Sequence, residues 1–254
     1  MIIPLGDDNT DRTTTPYVTW VFIAINVLVF VFLQGLGGNI EFTYAFSTVP
    51  EEILSGRDLV TQDQVVQNPV TGQQFRRPGL QPTPITVYIT LITSMFMHGG
   101  FAHILGNMLF LFIFGDNIED RLGHGRFIVF YLLIGILASL AHVFTTAAMD
   151  GNMRVPSLGA SGAISGVLGA YLLLFPRKRV TVILIRILMQ VPAIVAIGIW
   201  FLFQLLNGMG ALGSQTGGVA YAAHIGGFIA GLVLVKAFDT GPPRQRGRSY
   251  RMRR

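Results

Sequence analysis

Long apolar runs separated by polar connections dominate the hydropathy pattern of this chain. Six of the runs are close to the roughly 20 residues that an α-helix needs to cross a bilayer. The pattern therefore predicts an all-α fold, a polytopic membrane bundle of six transmembrane helices. The predicted spans cover residues 17–36, 95–115, 126–147, 159–176, 190–207 and 219–238.

Two further apolar runs do not fit this pattern cleanly. The run at 85–97 meets Gly99 and Gly100, and we expect it to lead into the second span rather than to form another. The run at 180–189 is broken by Arg186. Its length is too short for a span, so we expect it to lie along the membrane interface.

Basic residues cluster in the connections after the second, fourth and sixth spans. The positive-inside rule assigns such connections to the cytoplasm, and six spans with a cytoplasmic N-terminus satisfy it throughout. The clusters are Arg121, His124 and Arg126; Arg177, Lys178 and Arg179; and Arg244, Arg246, Arg248, Arg251, Arg253 and Arg254.

This orientation divides the chain into three parts. Residues 1–16 form a cytoplasmic N-terminal segment, residues 17–238 the membrane domain, and residues 239–254 a basic cytoplasmic tail. Residues 38–84 become a long external loop between the first and second spans. Loops of this length are usually functional or disordered. Apolar side chains such as Phe42 suggest that part of this loop packs onto the membrane surface.

Composition supports a membrane protein and excludes several classes of function. Of the 254 residues, 51% are hydrophobic and only 12% are charged, where a soluble domain has about 25% charged residues. The absence of cysteine excludes disulfides, thiolate metal sites and a cysteine nucleophile. The arginine-rich tail follows a span, so we expect it to contact anionic lipid and not nucleic acid. No cleavable signal or transit peptide is recognised, and a prokaryotic plasma membrane is the expected location.

Two polar side chains lie near the external ends of predicted spans. Ser161 is close to the start of the fourth span, and His224 is about five residues into the sixth. Polar groups inside the membrane are costly, so each calls for a functional explanation. The two residues lie in the same leaflet, where they could form a nucleophile and its general base.

A third polar group comes from the second span. His103 and Asn107 are four residues apart and therefore share one helical face, and His98 precedes them. Imidazole and amide donors aimed at one point can stabilise a developing oxyanion.

Other interpretations of these residues stay open at this stage. Gly159 and Gly162 could serve only for helix packing, because small residues let helices approach closely in lipid. His98, His103 and His224 could suggest zinc, but no His-Glu-x-x-His motif occurs and no carboxylate is close in sequence. No acidic residue is available for a triad either. We therefore expect a Ser–His dyad whose base is oriented by packing, with no metal and no cofactor.

Five motifs lie on these spans in a characteristic order, and together they resemble the rhomboid family of intramembrane serine proteases. The resemblance covers about His98 to Lys236. The motifs are His98; His103 with Asn107; Glu119-Asp120-Arg121-Leu122-Gly123; Gly159-Ala160-Ser161-Gly162; and Ala223-His224-Ile225-Gly226-Gly227.

The resemblance implies a function and a set of roles. Ser161 would be the nucleophile and His224 the base, with Asn107, His103 and the Ser161 N–H as the oxyanion hole. The implied fold is a six-helix bundle whose short fourth helix leaves a water-filled cavity open to the outside. The implied substrates are transmembrane segments, which would enter between spans two and five beneath the loop 208–218.

Three positions depart from the family pattern. Residues Tyr88-Ile89-Thr90 stand where many members have Trp-Arg, and Gly106 stands where bulkier residues are common. Ser165 replaces a Tyr that in some members stacks on the catalytic His. The packing of His224 is the feature that this last departure changes.

Two rival functions are weighed against the protease. A non-catalytic relative would bind transmembrane segments without cutting them, but such relatives lack the Ser or the His. A transporter would need intramembrane carboxylates or paired broken helices, which the sequence does not suggest. Glu119 and Arg121 lie across the membrane from Ser161, so we expect them to brace the cytoplasmic end of the bundle.

Overall fold

The computed structural model of the protein describes residues 2–67, 72–184, 187–211, 221–239 and 241. This part of the chain is mostly helical. In chain order the helices are α1 (Tyr17–Leu28), α2 (Ile40–Ala45), α3 (Pro50–Ser55), α4 (Thr90–Thr93), α5 (Phe101–Leu122), α6 (His124–Ala148), α7 (Ser161–Leu174), α8 (Ala193–Ala211) and α9 (Tyr221–Phe238). The strands are β1 (Ile2–Asp7), β2 (Gln64–Gln67), β3 (Gln74–Arg77), β4 (Arg179–Leu184) and β5 (Ile187–Pro192).

Helices α5, α6 and α9 are long and apolar enough to cross a membrane, judged by length and composition. Shorter apolar segments at Tyr17–Leu33, Ser161–Leu174 and Ala193–Gly208 match the other three predicted spans. The predicted helical membrane bundle is therefore confirmed. That all six helices cross the bilayer stays a prediction, as does the division into a membrane domain with cytoplasmic ends.

The second span begins later than the sequence predicts. The run leading up to it forms short helical turns over Val87–Phe96, and the backbone then breaks before α5 starts at Phe101. Gly100 has φ +156°, a conformation that favours glycine and interrupts the helix. The helix that corresponds to the predicted span at 95–115 therefore starts and ends later in the chain, at Phe101 and Leu122.

The described residues of the run at 180–189 belong to a sheet, which the sequence analysis does not predict. That the run lies along the membrane interface stays a prediction. Strand β4 pairs antiparallel with β5 and with the N-terminal strand β1, in the order β1-β4-β5. Val180 and Val182 of β4 are buried in the hydrophobic core. The all-α class therefore omits a small sheet at the end of the bundle opposite Ser161.

The loop at 38–84 packs against the bundle. Thr48 forms a β-bridge with Ser157, in the segment that leads into α7. Ile53 of α3 is buried against Leu91 and Val143 of the helices beneath it. Beyond these contacts, β2 and β3 pair as an antiparallel hairpin. Part of the loop that we expect to pack onto the membrane surface thus packs onto the helical bundle.

Helix α7 lies in the centre of the bundle, where glycines bring it against α9. The carbonyl oxygen of Gly227 would lie 2.9 Å from a Cβ placed on Gly166. A Cβ placed on Gly231 would collide with the Gly166 backbone, and one on Gly227 with the Gly162 carbonyl. Because only glycine permits this approach, the two helices that carry Ser161 and His224 run side by side.

Candidate active site

Ser161 is the first residue of α7, at the end of the helix that lies beside the loop at 38–84. The preceding turn is held by a backbone hydrogen bond of 2.8 Å, in which the Gly159 N–H donates to the Ser94 carbonyl. The first backbone N–H groups of a helix have no partner within the helix. The N–H of Ser161 is one of these groups, so it is placed to donate to an acceptor outside the helix.

His224 lies in the first turn of α9 and is buried. Its Nε2 is 2.7 Å from Ser161 Oγ, within the range for a nucleophile and its base. The sequence predicts matching depth for these residues, and the structure adds the contact distance. The contact follows from the close approach of α7 and α9.

The other ring nitrogen of His224 has a partner that the sequence analysis missed. His224 Nδ1 is 2.8 Å from Oε1 of Gln204 on α8. The signal that could have drawn attention to it is an amide within a predicted span, since polar groups are costly in lipid and often functional. Sequence alone could not show which neighbouring helix the amide faces.

Aromatic rings surround His224 where the expected stacking Tyr is missing. The rings of Trp200 and Tyr221 have their centroids 6.2 and 6.4 Å from the His224 ring. Ser165, which occupies the position of that Tyr, donates from Oγ to the Ser161 carbonyl at 2.6 Å. The aromatic rings beside the histidine therefore come from α8 and α9, and the α7 position Ser165 carries no ring.

The His103 ring lies directly beside Gly159, in the turn that precedes Ser161. A Cβ placed on Gly159 would be 2.8 Å from His103 Nε2, and Gly159 itself has φ +123°. Gly99 N–H donates to His103 Nδ1 at 3.3 Å. A neutral imidazole that accepts at Nδ1 carries its proton on Nε2, so His103 presents an N–H donor toward the Ser161 side.

Asn107 is buried one turn below His103, and its immediate partner is His98. Asn107 Nδ2 is 2.9 Å from His98 Nε2. The backbone of His98 is itself held by Gln34, which accepts from the His98 N–H and donates to its carbonyl, both at 2.9 Å. His98 thus orients the Asn107 amide, whose second N–H can serve another acceptor.

A narrow polar pocket adjoins Ser161. Its free volume is about 20 Å³, little more than a water molecule needs, and it is partly open to solvent. The hydroxyl-bearing residues Ser94, Ser139 and Ser157 line it, and the rest of the wall includes small residues such as Gly162 and Ala223. Such a pocket accepts water or a small side chain, and it excludes a bulky one.

Of the predicted site residues, the structure brings Ser161, His224, His103 and Gly159 together, with Gly162 packed under α9. Asn107 and His98 lie as a hydrogen-bonded pair behind His103. Most of the predicted loop at 208–218 and the arginine-rich tail lie outside the described residues.

Comparison with known proteins places this site in a recognised domain. Residues 86–238 match the model of the Rhomboid domain. The chain is 33% identical to Rhomboid protein 1, mitochondrial, of Saccharomyces cerevisiae over 171 residues, which are 66% of this chain and 47% of that protein. It is 30% identical to Rhomboid protease GluP of Bacillus subtilis over 215 residues, or 83% of this chain and 35% of that protein. The chain thus spans between about a third and half of the length of these relatives.

Proposed function

Because the chain belongs to the rhomboid family, whose members are generally intramembrane serine proteases, we propose that it is an intramembrane serine endopeptidase. Ser161 is the nucleophile and His224 the general base. The observation that carries this proposal is the 2.7 Å distance between Ser161 Oγ and His224 Nε2. Two helices must be held in register for that contact, and a lone packing serine would not need it.

The proposed reaction is acyl transfer to water. His224 Nε2 takes the hydroxyl proton while Ser161 Oγ attacks the scissile carbonyl carbon. The protonated His224 then gives its proton to the leaving amine, and the carbon–nitrogen bond breaks to leave an acyl-enzyme. Water then attacks this ester while His224 takes its proton. The carbon–oxygen bond to Ser161 breaks, His224 returns the proton to Ser161 Oγ, and the product carboxyl group is released.

The oxyanion of each tetrahedral intermediate would be stabilised by the predicted donors. The N–H of Ser161 belongs to the nucleophile itself, and His103 Nε2 lies beside Gly159, two residues before it. The amide of Asn107 would supply the third donor. Hydrogen bonds from such donors become stronger as negative charge develops on the carbonyl oxygen. They therefore lower the activation barrier without tightening the binding of the substrate.

The proposed substrates are single-span membrane proteins cut near the external end of the spanning helix. A carbonyl locked in a helix is hidden by its own hydrogen bond, so segments with small or helix-breaking residues are the expected targets. The narrow pocket beside Ser161 favours a small side chain next to the cleaved bond. The expected setting is a prokaryotic plasma membrane, with both ends cytoplasmic and the basic tail against anionic lipid.

Labelling with a fluorescent fluorophosphonate tests the activated serine. Purified wild-type protein in detergent should be labelled on Ser161, and Ser161→Ala and His224→Ala should both abolish the signal. Ser55→Ala is the matched control, because Ser55 is an exposed serine of the external loop. Folded wild type that stays unlabelled and leaves a spanning substrate intact would favour the rival function, a relative that binds transmembrane segments without cutting them.

A further inference from the structure

Helix α8 carries neither Ser161 nor His224, but one of its side chains contacts His224. Gln204 projects from α8 toward α9, where its Oε1 lies 2.8 Å from His224 Nδ1. The chain Ser161 Oγ, His224 Nε2, His224 Nδ1 and Gln204 Oε1 is therefore continuous across three helices. We propose that Gln204 is a positioning residue, which holds His224 in the tautomer and orientation that its role as base requires.

The direction of the hydrogen bond carries this inference. An amide oxygen can only accept, so Nδ1 of a neutral His224 must carry the proton and donate it to Gln204. Nε2 is then unprotonated and can accept the hydroxyl proton of Ser161. The opposite tautomer would place a proton on Nε2, where it could no longer act as a base.

Gln204 takes the place of the groups that orient the catalytic histidine in other serine proteases. A Ser–His–Asp triad uses a buried carboxylate at this nitrogen to hold the tautomer. The stacking Tyr that packs the histidine in some family members is Ser165 here, and its hydroxyl is turned to the Ser161 carbonyl. The orienting contacts on His224 come instead from Gln204 and from the neighbouring Trp200 ring on the same helix.

An amide suits this location better than a carboxylate. Gln204 lies in an apolar helix in which residues 198–208 are all partly or fully exposed at the bundle surface. An ionised side chain there would be strongly disfavoured in lipid, whereas a neutral amide needs only its hydrogen bonds. It fixes the proton on Nδ1 without adding a charge to the membrane.

The test, which rests on the proposed protease activity, separates a positioning residue from a packing residue. Gln204→Met keeps the length and volume of the side chain but lacks the amide oxygen, and Gln204→Glu restores an acceptor oxygen in either protonation state. Turnover of a spanning substrate should fall about 10- to 100-fold in Gln204→Met at unchanged KM. Gln204→Glu should recover most of that loss.

Asn207 provides the matched control on the same helix. Its amide is exposed and, among the described residues, donates to the Phe203 carbonyl of its own helical turn at 2.8 Å. Asn207→Leu should therefore leave turnover within a few-fold of wild type. Equal losses of turnover in Gln204→Met and Asn207→Leu would show that any substitution in this part of α8 impairs the enzyme. That result would overturn the positioning role of Gln204.

A second readout does not depend on activity. Ring ¹⁵N chemical shifts of ¹⁵N-histidine protein, with His224 assigned by its loss in His224→Ala, report which nitrogen is protonated. Wild type should show the Nδ1–H tautomer, and Gln204→Met should shift toward Nε2–H. A wild type with Nε2–H, or a tautomer unchanged by Gln204→Met, contradicts the inference. If the wild type is inactive but the tautomer still differs between wild type and Gln204→Met as expected, the protease assignment is wrong and the positioning of His224 by Gln204 stands.

Discussion

At the scale of single residues, the site depends on a few polar atoms that only the fold brings together. Ser161 and His224 could be singled out from sequence because each is a polar residue near the predicted external end of an apolar run. Gln204 carries a similar signal, because it is an amide near the end of its predicted span at 190–207, but no periodicity reveals that it faces His224. Because no acidic residue is available for a triad, the sequence leads us to expect that packing alone orients His224.

Asn107 offers a direct test of the oxyanion role. In Asn107→Ala we expect kcat to fall about 10²–10³-fold while KM stays near the wild-type value, because the donor acts mainly in the transition state. Steady-state cleavage of a spanning substrate measures both constants. A change confined to KM would refute the role.

Gly159 should tolerate no side chain, for reasons of both space and backbone. Its φ of +123° is strained for any other residue, and a Cβ would press on the His103 ring. Gly159→Ala should therefore lower activity sharply and destabilise the fold by about 1–3 kcal/mol. Gly125→Ala, on α6 with open space around it, is the control and should leave thermal stability equal or slightly raised. Equal behaviour of the two variants would contradict this account.

At the scale of elements, long apolar runs predicted the structure better than short ones did. The long runs matched helices to within a few residues at most ends, because a bilayer leaves few alternatives to a helix. The sheet that includes the run at 180–189 was not predicted, because a short apolar segment does not distinguish a strand from an interfacial helix. Its partner, the strand β1, lies far away in sequence, in a segment rich in charged residues.

Glu119 shows how helix α5 holds the start of α1. Its carboxylate is fully buried and accepts from the N–H groups of Val18 and Thr19 at 2.9 and 2.7 Å. Thr19 Oγ1 also donates to it, and His124 Nδ1 lies against its other oxygen. The acid thus caps the N-terminus of α1, where negative charge is favoured.

Glu119→Ala should lower stability by about 2–4 kcal/mol, because buried N–H groups lose their acceptor. Activity per folded molecule should remain measurable, since the acid lies at the opposite end of the bundle from Ser161. Thermal unfolding in detergent and cleavage assays on the folded fraction would test this, with exposed Glu41→Gln as the control. Loss of activity at unchanged stability would argue against a purely bracing role.

At the scale of the whole molecule, two carboxyl groups outside the spans make stability depend on pH. Burial raises the pKa of Asp7 to about 7, although the hydrogen bond from Tyr171 acts in the other direction. Asp116 and Asp8 raise the same pKa further, and Lys178 lowers it. Burial likewise raises the pKa of Glu52 to about 7, with Asp58 and Glu51 adding to the shift and a hydrogen bond from the Leu59 N–H opposing it.

The folded state therefore binds these protons more tightly than the unfolded chain. Between about pH 4 and pH 7 the unfolded carboxylates are ionised while the folded ones are still protonated, so stability falls as pH rises through this window. Asp7→Asn and Glu52→Gln should each flatten the fall in Tm measured from pH 5 to pH 8. A wild-type Tm that rises over this range, or variants with the wild-type slope, would contradict the assignment.

The overall architecture was accessible from sequence because hydropathy and the motif order constrain it strongly. The rhomboid family and the helical membrane bundle are confirmed. The roles of the site residues, the orientation and the cellular membrane stay predictions. What sequence could not supply is the packing of one helix against another, which decides where each side chain points.

The most direct test of the central claim is cleavage of a single-span substrate in proteoliposomes, with the cut site mapped by mass spectrometry. The account predicts a cut near the external end of the spanning segment by wild type, and none by Ser161→Ala or His224→Ala. Cleavage that persists in either variant, or a reconstituted and folded wild type that leaves every such segment intact, would contradict it.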